Sequence, residues 1–275
     1  MAILHTAPLG APGAEMAAAP RNGLLRETAV LTRRLLVRSI RTPMTLVHAI
    51  LLPVAFLLTL KVVFGNTITS MTGENSLYRS VPLVALVAAM SGSTTGMVGI
   101  NSERLDGFLG RLWSLPIHRA AGLLSRVVAE TIRLIVTTLV LLVTGLILGF
   151  RFHSGVGSAL VWFAIPVIFG VAFAAIATVV ALYSPRTVMV EAMQPVIILG
   201  ATFCTGFVPV EMYPDWVQPA VRHQPMSSAV DAMRGLSVGG PVLEPLVNTL
   251  LWCAAILAVC LPLIVAGYRR ASTNR

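Results

Sequence analysis

The sequence predicts an all-α integral membrane protein. It is read as six transmembrane helices, an N-terminal interfacial helix, a cytoplasmic helix after the second span and an outer re-entrant helical hairpin before the last. Three observations predict this. Hydrophobic residues make up 56% of the 275-residue chain and charged residues only 11%, with a mean hydropathy of +0.84. A soluble domain carries about a quarter charged residues, so this composition belongs to the membrane class. Six apolar runs each approach the roughly 20 residues that cross a ~30 Å hydrocarbon core. The positive charge also sits unevenly in the segments between those runs, the pattern that sets membrane orientation.

Residues 1–23 are rich in Ala, Gly and Pro and lack an apolar core, so they read as a disordered cytoplasmic tail rather than a signal peptide. Residues 24–42 carry Arg26, Arg33, Arg34, Arg38 and Arg41, with Leu24, Leu31, Leu35 and Ile40 near helical spacing. That pattern predicts an interfacial helix with its arginines near anionic headgroups.

The first span is predicted at 44–64, with Pro53 kinking it and Lys61 near its far end. A short polar loop, 65–80, leads to the second span at 81–101. Ser91, Gly92, Ser93, Thr94, Thr95, Gly96 and Gly99 crowd its later half. Gly92 and Gly96 form a G-x-x-x-G spacing, which lets helix backbones approach closely.

The stretch Asn101–Arg126 mixes both signs of charge with apolar residues. From Arg104 to Leu115 the apolar residues recur at spacings of three and four, which predicts an amphipathic helix ended by Pro116. A third span, 124–149, opens with Arg126, Glu130 and Arg133, whose spacing allows ion pairs on one face. The fourth span is predicted at 158–183 and the fifth at 188–208, the latter opening with Glu191, Gln194 and Pro195.

Residues 209–243 contain five prolines with Tyr213 and Trp216, residue types that favour the interface. They predict two short helices dipping into the outer leaflet, the second an amphipathic helix from Ser227 to Leu236. The sixth span is 245–267, and 269–275 form a second cytoplasmic tail. Residues 24–268 thus make one transmembrane domain. With both termini inside, cytoplasmic segments hold about three times as many Arg and Lys residues as outer ones. The net charge of +9 is thereby explained by topology, not by nucleic acid.

The sequence also excludes chemistry. Lys61 is the only lysine and lies in an apolar run, so no G-x-x-x-x-G-K-[ST] loop exists and the chain has no P-loop ATPase site of its own. The histidines show no metal-ligand spacing, and no catalytic residues, cofactor site or metal site are assigned. Cys204, Cys253 and Cys260 lie in apolar runs as small fillers. Glu191 is the one carboxylate well inside an apolar run, a candidate intramembrane polar site.

The run Glu103–Arg119, ERLDGFLGRLWSLPIHR, resembles the signature after the second span of type-2 ABC exporter membrane subunits. Glu103, Arg104, Gly107, Leu112, Pro116 and Arg119 match, whereas Leu105 and Phe108 stand where that family has an acid and a Thr. RLWSLPIHRAAGLLSR, LGFRF, VALYSPRTVMVE, HQPMSSAVDAMRG, GGPVLEP and GYRRAST are similar to the daunorubicin-resistance branch, and to mycobacterial subunits linked to phthiocerol dimycocerosate lipid export.

The resemblance implies a permease in a bacterial, actinobacterial plasma membrane. It implies two P-loop ATP-binding subunits holding ATP and Mg, and a second membrane subunit, identical or homologous. The matched residues would form the coupling helix seated in the ATPase. Ser91, Thr94, Thr95, Thr202 and Thr205 would lie along a path for a hydrophobic lipid or polyketide-type drug. The alternative is an ion- or proton-coupled transporter, which requires paired intramembrane charges. A membrane enzyme acting on lipids would need clustered acids or histidines, and none is seen in the sequence.

Overall fold

The structure is a computed structural model and describes residues 23–42, 47–105, 119–183 and 193–273. All regular elements among them are helical. Helix α1 spans Leu24–Arg41, starting at Gly23 with acidic Glu27 in its first turn and Arg38 and Arg41 in its last, as the helix dipole favours. Thr32 Oγ1 donates to the Ser125 carbonyl at 3.3 Å and fixes α1 along the start of a later span. Leu24, Leu31 and Leu35 are half-buried, while Leu25 and Ile40 are 84% and 64% exposed. The apolar residues are therefore divided between a protein-facing and an outward side. That division suits a helix lying on both protein and membrane.

The first span is helical from Val47 to Thr72 but changes gauge. A π turn, Val47–Leu51, precedes α2, Leu52–Thr59; a second π turn, Leu60–Phe64, precedes α3, Gly65–Thr72. Pro53 sits just after the first wide turn, where its missing N–H is absorbed. The predicted loop 65–80 is corrected to a short turn. The helix continues to Gly73, whose φ of +69° stops it as its N–H bonds the Thr69 carbonyl at 2.9 Å.

Asn75 then caps α4, Leu77–Leu105, accepting the Leu77 N–H at 3.1 Å. The 29 residues of α4 reach about 43 Å, more than a bilayer core. Helix α5, Arg119–Ile147, ends at Gly149, with φ +107° and a Phe150 N–H bond to the Gly145 carbonyl at 2.9 Å. Lys61 donates to the Leu148 carbonyl and adds a cation at that helix terminus.

Helix α6, Gly155–Tyr183, is apolar all round and lies at the centre, packed by α4, α5 and the last helix. Half of its apolar window is buried, against 22% in the other three spans long and apolar enough to cross a membrane, Ala49–Ser70, Leu124–Ile147 and Leu243–Gly267. The second predicted span folds as α4, and part of the fifth as α7, Met193–Thr202. The outward faces of the spans are apolar, as Val128, Ile132, Ile135, Val136 and Leu139 show on α5.

Between α7 and the final helix come a 3-10 turn, Val210–Met212, and α8, Gln218–His223. Then follow α9, Pro225–Val238, and α10, Leu243–Thr273. Two short helices precede the last span, as expected. The second is not the one-sided amphipathic helix expected. Ten residues of α9 are buried, and it packs among α4, α6 and α10. Ser227, Ser228, Ala229, Ala232, Gly235 and Ser237 explain this, because small side chains let helices close on several sides.

Candidate functional site at two charged clusters on the second span

Helix α4 carries a charged cluster near its start and another past its middle. The second begins with Gly92 and Gly96, one turn apart. The gap they leave holds side chains of α5. A Cβ on Gly96 would lie 3.4 Å from Glu130 Oε2, and one on Gly92 would lie 3.6 Å from Arg133 Nη2. Glu130 and Arg133 form an i,i+3 ion pair, and Arg133 also donates to the Gly92 carbonyl. Their side chains are 13% and 17% exposed. Glu130 Oε1 is buried without a hydrogen-bond partner.

Unpaired, each charge in a span costs roughly 2.5–3.5 kcal/mol on the insertion scale, which explains why these two are held together. Beside them the small residues pack tightly. The Ser93 hydroxyl is shared between the Ala89 and Gly170 carbonyls at 3.0 and 3.2 Å, so α4 and α6 meet there.

The other cluster joins four segments. Arg79, 9% exposed, donates from Nη1 to the Thr205 carbonyl at 2.9 Å, while its Nε is buried and unpartnered. The Thr205 N–H bonds the Ser227 hydroxyl at 3.2 Å, and its own hydroxyl lies 3.3 Å from the Ser227 carbonyl. Asp231 on α9 faces this group. Burial pushes its carboxyl above the usual carboxylate range, against the opposing pull of Thr205, Arg79 and Arg234. Arg234, one turn on, grips Glu74 by donating from Nε and Nη2, at 2.9 and 2.7 Å. The guanidinium holds the Glu74 carboxyl below its usual range, although burial opposes it. Arg79 is the more deeply placed of the two arginines.

The sequence-predicted site residues fall differently. Gly107, Leu112, Pro116 and Glu191 lie outside the described residues. Glu103 and Arg104 belong to the last turn of α4, and Arg119 opens α5, so the two helices flank the predicted coupling stretch. Their side chains, and that of Thr95, are outside those described. Thr94 is buried, and its hydroxyl donates to the Ser91 carbonyl at 2.7 Å; Ser91 is half-buried. Thr202 is exposed and bonds its own helix at the Ile198 carbonyl, 2.8 Å away, whereas Thr205 is buried in the Arg79 cluster. Thr202 and Thr205 thus differ in exposure and in bonding partners. Among the described residues, no three His, Cys, Asp or Glu residues gather as metal ligands.

Sequence reasoning missed Asp231, Arg79, Arg234 and Glu74 as a unit. One signal was available: charged residues at positions 231 and 234 interrupt a run of small and apolar residues. The Glu130–Arg133 spacing was visible, but its seat on Gly92 was not.

The profile of the ABC-2 type transporter family matches residues 26–237, a range that contains both clusters and the stretch between α4 and α5. This chain belongs to the ABC-2 type transporter family. It is 47% identical over 271 residues to the probable doxorubicin resistance ABC transporter permease DrrC of Mycobacterium tuberculosis, covering 98% of this chain and 97% of the relative. It is 27% identical to the daunorubicin resistance ABC transporter permease DrrB1 of Streptomyces coeruleorubidus, over 84% and 82% of the two chains. Against the doxorubicin resistance permease DrrB of Mycobacterium tuberculosis the figure is 28%, over 68% and 66%. These relatives bear out the resemblance to the daunorubicin-resistance branch. As in other ABC-2 permeases, the chain lacks an ATPase site, in line with its missing P-loop.

Proposed function

We propose that this chain is the permease subunit of an ATP-driven exporter that moves hydrophobic cargo outward across the plasma membrane. The cargo class is a lipid, such as a phthiocerol dimycocerosate-type wax, or a polyketide-type drug. The observation that carries this reading is the family match over residues 26–237 in a chain without a P-loop. The motor is then a separate protein. We assign two ATP-binding subunits, which hold ATP and Mg, and a second membrane subunit that is a copy or a homologue.

The arrangement is six spans with both termini cytoplasmic, supported by the arginine bias of the connecting segments. Residues 24–268 form the transmembrane domain and the hairpin α8–α9 lies on the outer side, re-entrant before the last span. The stretch Glu103–Arg119, with Glu103, Arg104, Gly107, Leu112, Pro116 and Arg119, contacts the motor. Ser91, Thr94, Thr95, Thr202 and Thr205 are assigned to the cargo path, and Glu191 to an intramembrane polar site. Names of the relatives, which refer to doxorubicin and daunorubicin resistance, support an amphiphilic or apolar cargo.

A coupled secondary transporter is the second reading, favoured by one observation: the spans contain the buried charge pair Glu130–Arg133. The two charges of that pair neutralise each other within the protein, and the family match outweighs it. Affinity purification of the tagged chain in mild detergent tests the choice. A stoichiometric P-loop ATPase that co-purifies, and is lost in Glu103→Arg, supports the exporter. A chain that purifies alone and is inert to ATP moves the assignment to the coupled transporter.

A further inference from the structure

The two helices that flank the coupling stretch are tied together by the buried pair on α5. Gly92 lies eleven residues before Glu103 on α4, and Arg133, which bonds it, lies fourteen residues beyond Arg119 on α5. At the helical rise these distances are about 16 and 21 Å. The tie therefore sits within one turn of the same height on the two arms that leave the coupling stretch.

Its chemistry is specific. Neutralising two charges needs only the i,i+3 contact of Glu130 with Arg133, which α5 supplies alone. Arg133 does more, because it also donates to a main-chain carbonyl of α4, that of Gly92. The carboxylate sits over Gly96, with Oε2 3.4 Å from the position a Cβ would take. Arg133 thus bonds both helices at once, and Gly92 and Gly96 leave the room for it.

We propose that Glu130 and Arg133 are positioning residues that clamp α4 to α5, so that a displacement delivered at the coupling stretch moves both helices as one lever. This rests on the exporter reading for its purpose, but not for its geometry. Without the clamp, α4 and α5 slide on each other and the motor's stroke dissipates before it reaches the cargo path. ATP hydrolysis then continues without transport. A buried pair that only anchored the fold would affect the two activities together.

The test uses the full chain with its co-purified ATP-binding partner in lipid vesicles, with fluorescent doxorubicin as the transported probe. Wild type, Arg133→Gln, Arg133→Lys and Glu130→Gln are compared for doxorubicin moved per ATP hydrolysed. The expected result is a fall of tenfold or more in that ratio for Arg133→Gln, with ATPase activity within twofold of wild type. Arg133→Lys, which keeps a donor for the Gly92 carbonyl, recovers at least a third of the ratio. Glu130→Gln, which keeps an acceptor for Arg133, loses less than Arg133→Gln.

An unchanged ratio in Arg133→Gln overturns the clamp. So does a failure of Arg133→Gln and Glu130→Gln alike to assemble with the motor, which would make the pair a folding anchor. Nitroxide labels at Ser91→Cys and Ile132→Cys in the chain alone separate the clamp from the exporter reading. Arg133→Gln is expected to broaden the distance between these labels, and an unaltered distance overturns the clamp even where ATP-driven transport is found. A broadened distance in a chain that recruits no ATPase upholds the clamp and discards the exporter.

Discussion

Arg79 at the start of α4 donates to the Thr205 carbonyl, 126 residues further along the chain, at 2.9 Å. With Asp231 facing it from α9, this arginine joins α4, the segment just after α7, and α9. Replacing it with alanine leaves a buried carbonyl and a partly buried carboxylate without their cation. Breaking such an arrangement costs about 3 kcal/mol. Arg79→Ala should therefore melt well below wild type in detergent, followed by fluorescence-detected size exclusion. Asp231→Asn added to it should restore part of the loss, because the orphaned charge is then gone. Equal melting of Arg79→Ala and wild type would show that the cluster contributes little.

The two carboxylates of this cluster titrate with opposite consequences. The Glu74 carboxyl is held below its usual range by Arg234. Its stabilisation is present above the unfolded carboxylate pKa and is lost as pH falls through the lower, folded value. Asp231 is raised by burial, so its ionised form costs stability at neutral pH, and that cost is relieved as pH falls through the raised value. On acidification the melting temperature should first gain from Asp231 and later lose from Glu74. Asp231→Asn should remove the gain and Glu74→Gln the loss. Both Glu74 and Arg234 are about a third exposed, so the Glu74 effect is of order 1 kcal/mol. Melting curves taken between neutral and strongly acidic pH, with each variant beside wild type, check the order.

Gly235 tests how closely α9 is packed against the turn that follows it. A Cβ at this position on α9 would lie 2.8 Å from the Pro241 carbonyl oxygen and 3.2 Å from Val242 Cγ2. The first neighbour is backbone, so it cannot rotate away. The N–H groups of Gly239 and Gly240 already bond the Gly235 carbonyl at 2.9 and 3.1 Å, which holds that turn in place. Overpacking of this kind costs about 1–3 kcal/mol. Gly235→Ala should lower both the yield of folded protein and its melting temperature. Gly157→Ala, at a position where a Cβ meets nothing within 4 Å, is the control and should not.

How much of this was legible in the sequence depends on how far apart the partners lie. Helix-forming apolar runs declare themselves locally, so the spans at 124–149, 158–183 and 245–267 appear close to where composition puts them. The pair Glu130–Arg133 is one turn apart and also legible. Its seat on Gly92 is 41 residues away, and a glycine spacing says that something approaches without saying what. Arg79 reads in the sequence as one more outer-loop charge, yet it is buried against two segments distant in the chain, at Thr205 and on α9. The helix through Thr72 was missed because Asn66, Thr67, Thr69 and Ser70 look like loop residues. There Thr69 bonds back to the Gly65 carbonyl at 2.8 Å, a local bond that keeps a polar helix turn satisfied. The burial of α9 was missed because small polar residues score as a solvated face, although between helices they are what permits contact.

Gly170 and Leu134 set the spacing of three spans. A Cβ on Gly170 of α6 would lie 2.8 and 2.9 Å from the two Cδ atoms of Leu134 on α5, and 3.1 Å from Ala89 Cβ on α4. Leu134 is 2% exposed and has little space into which to turn. Ser93 adds its hydroxyl to the Gly170 carbonyl at 3.2 Å, so α4 cannot withdraw without loss. Gly170→Ala should therefore destabilise the protein by about 1–3 kcal/mol. Leu134→Ala alone should also destabilise, by about 2–5 kcal/mol through the cavity it leaves. Combined, the two should cost less than their sum, since the new methyl occupies part of the vacated space. Thermal unfolding of the four-member cycle in one detergent measures this coupling. Strict additivity would mean that α4, α5 and α6 do not meet at Gly170.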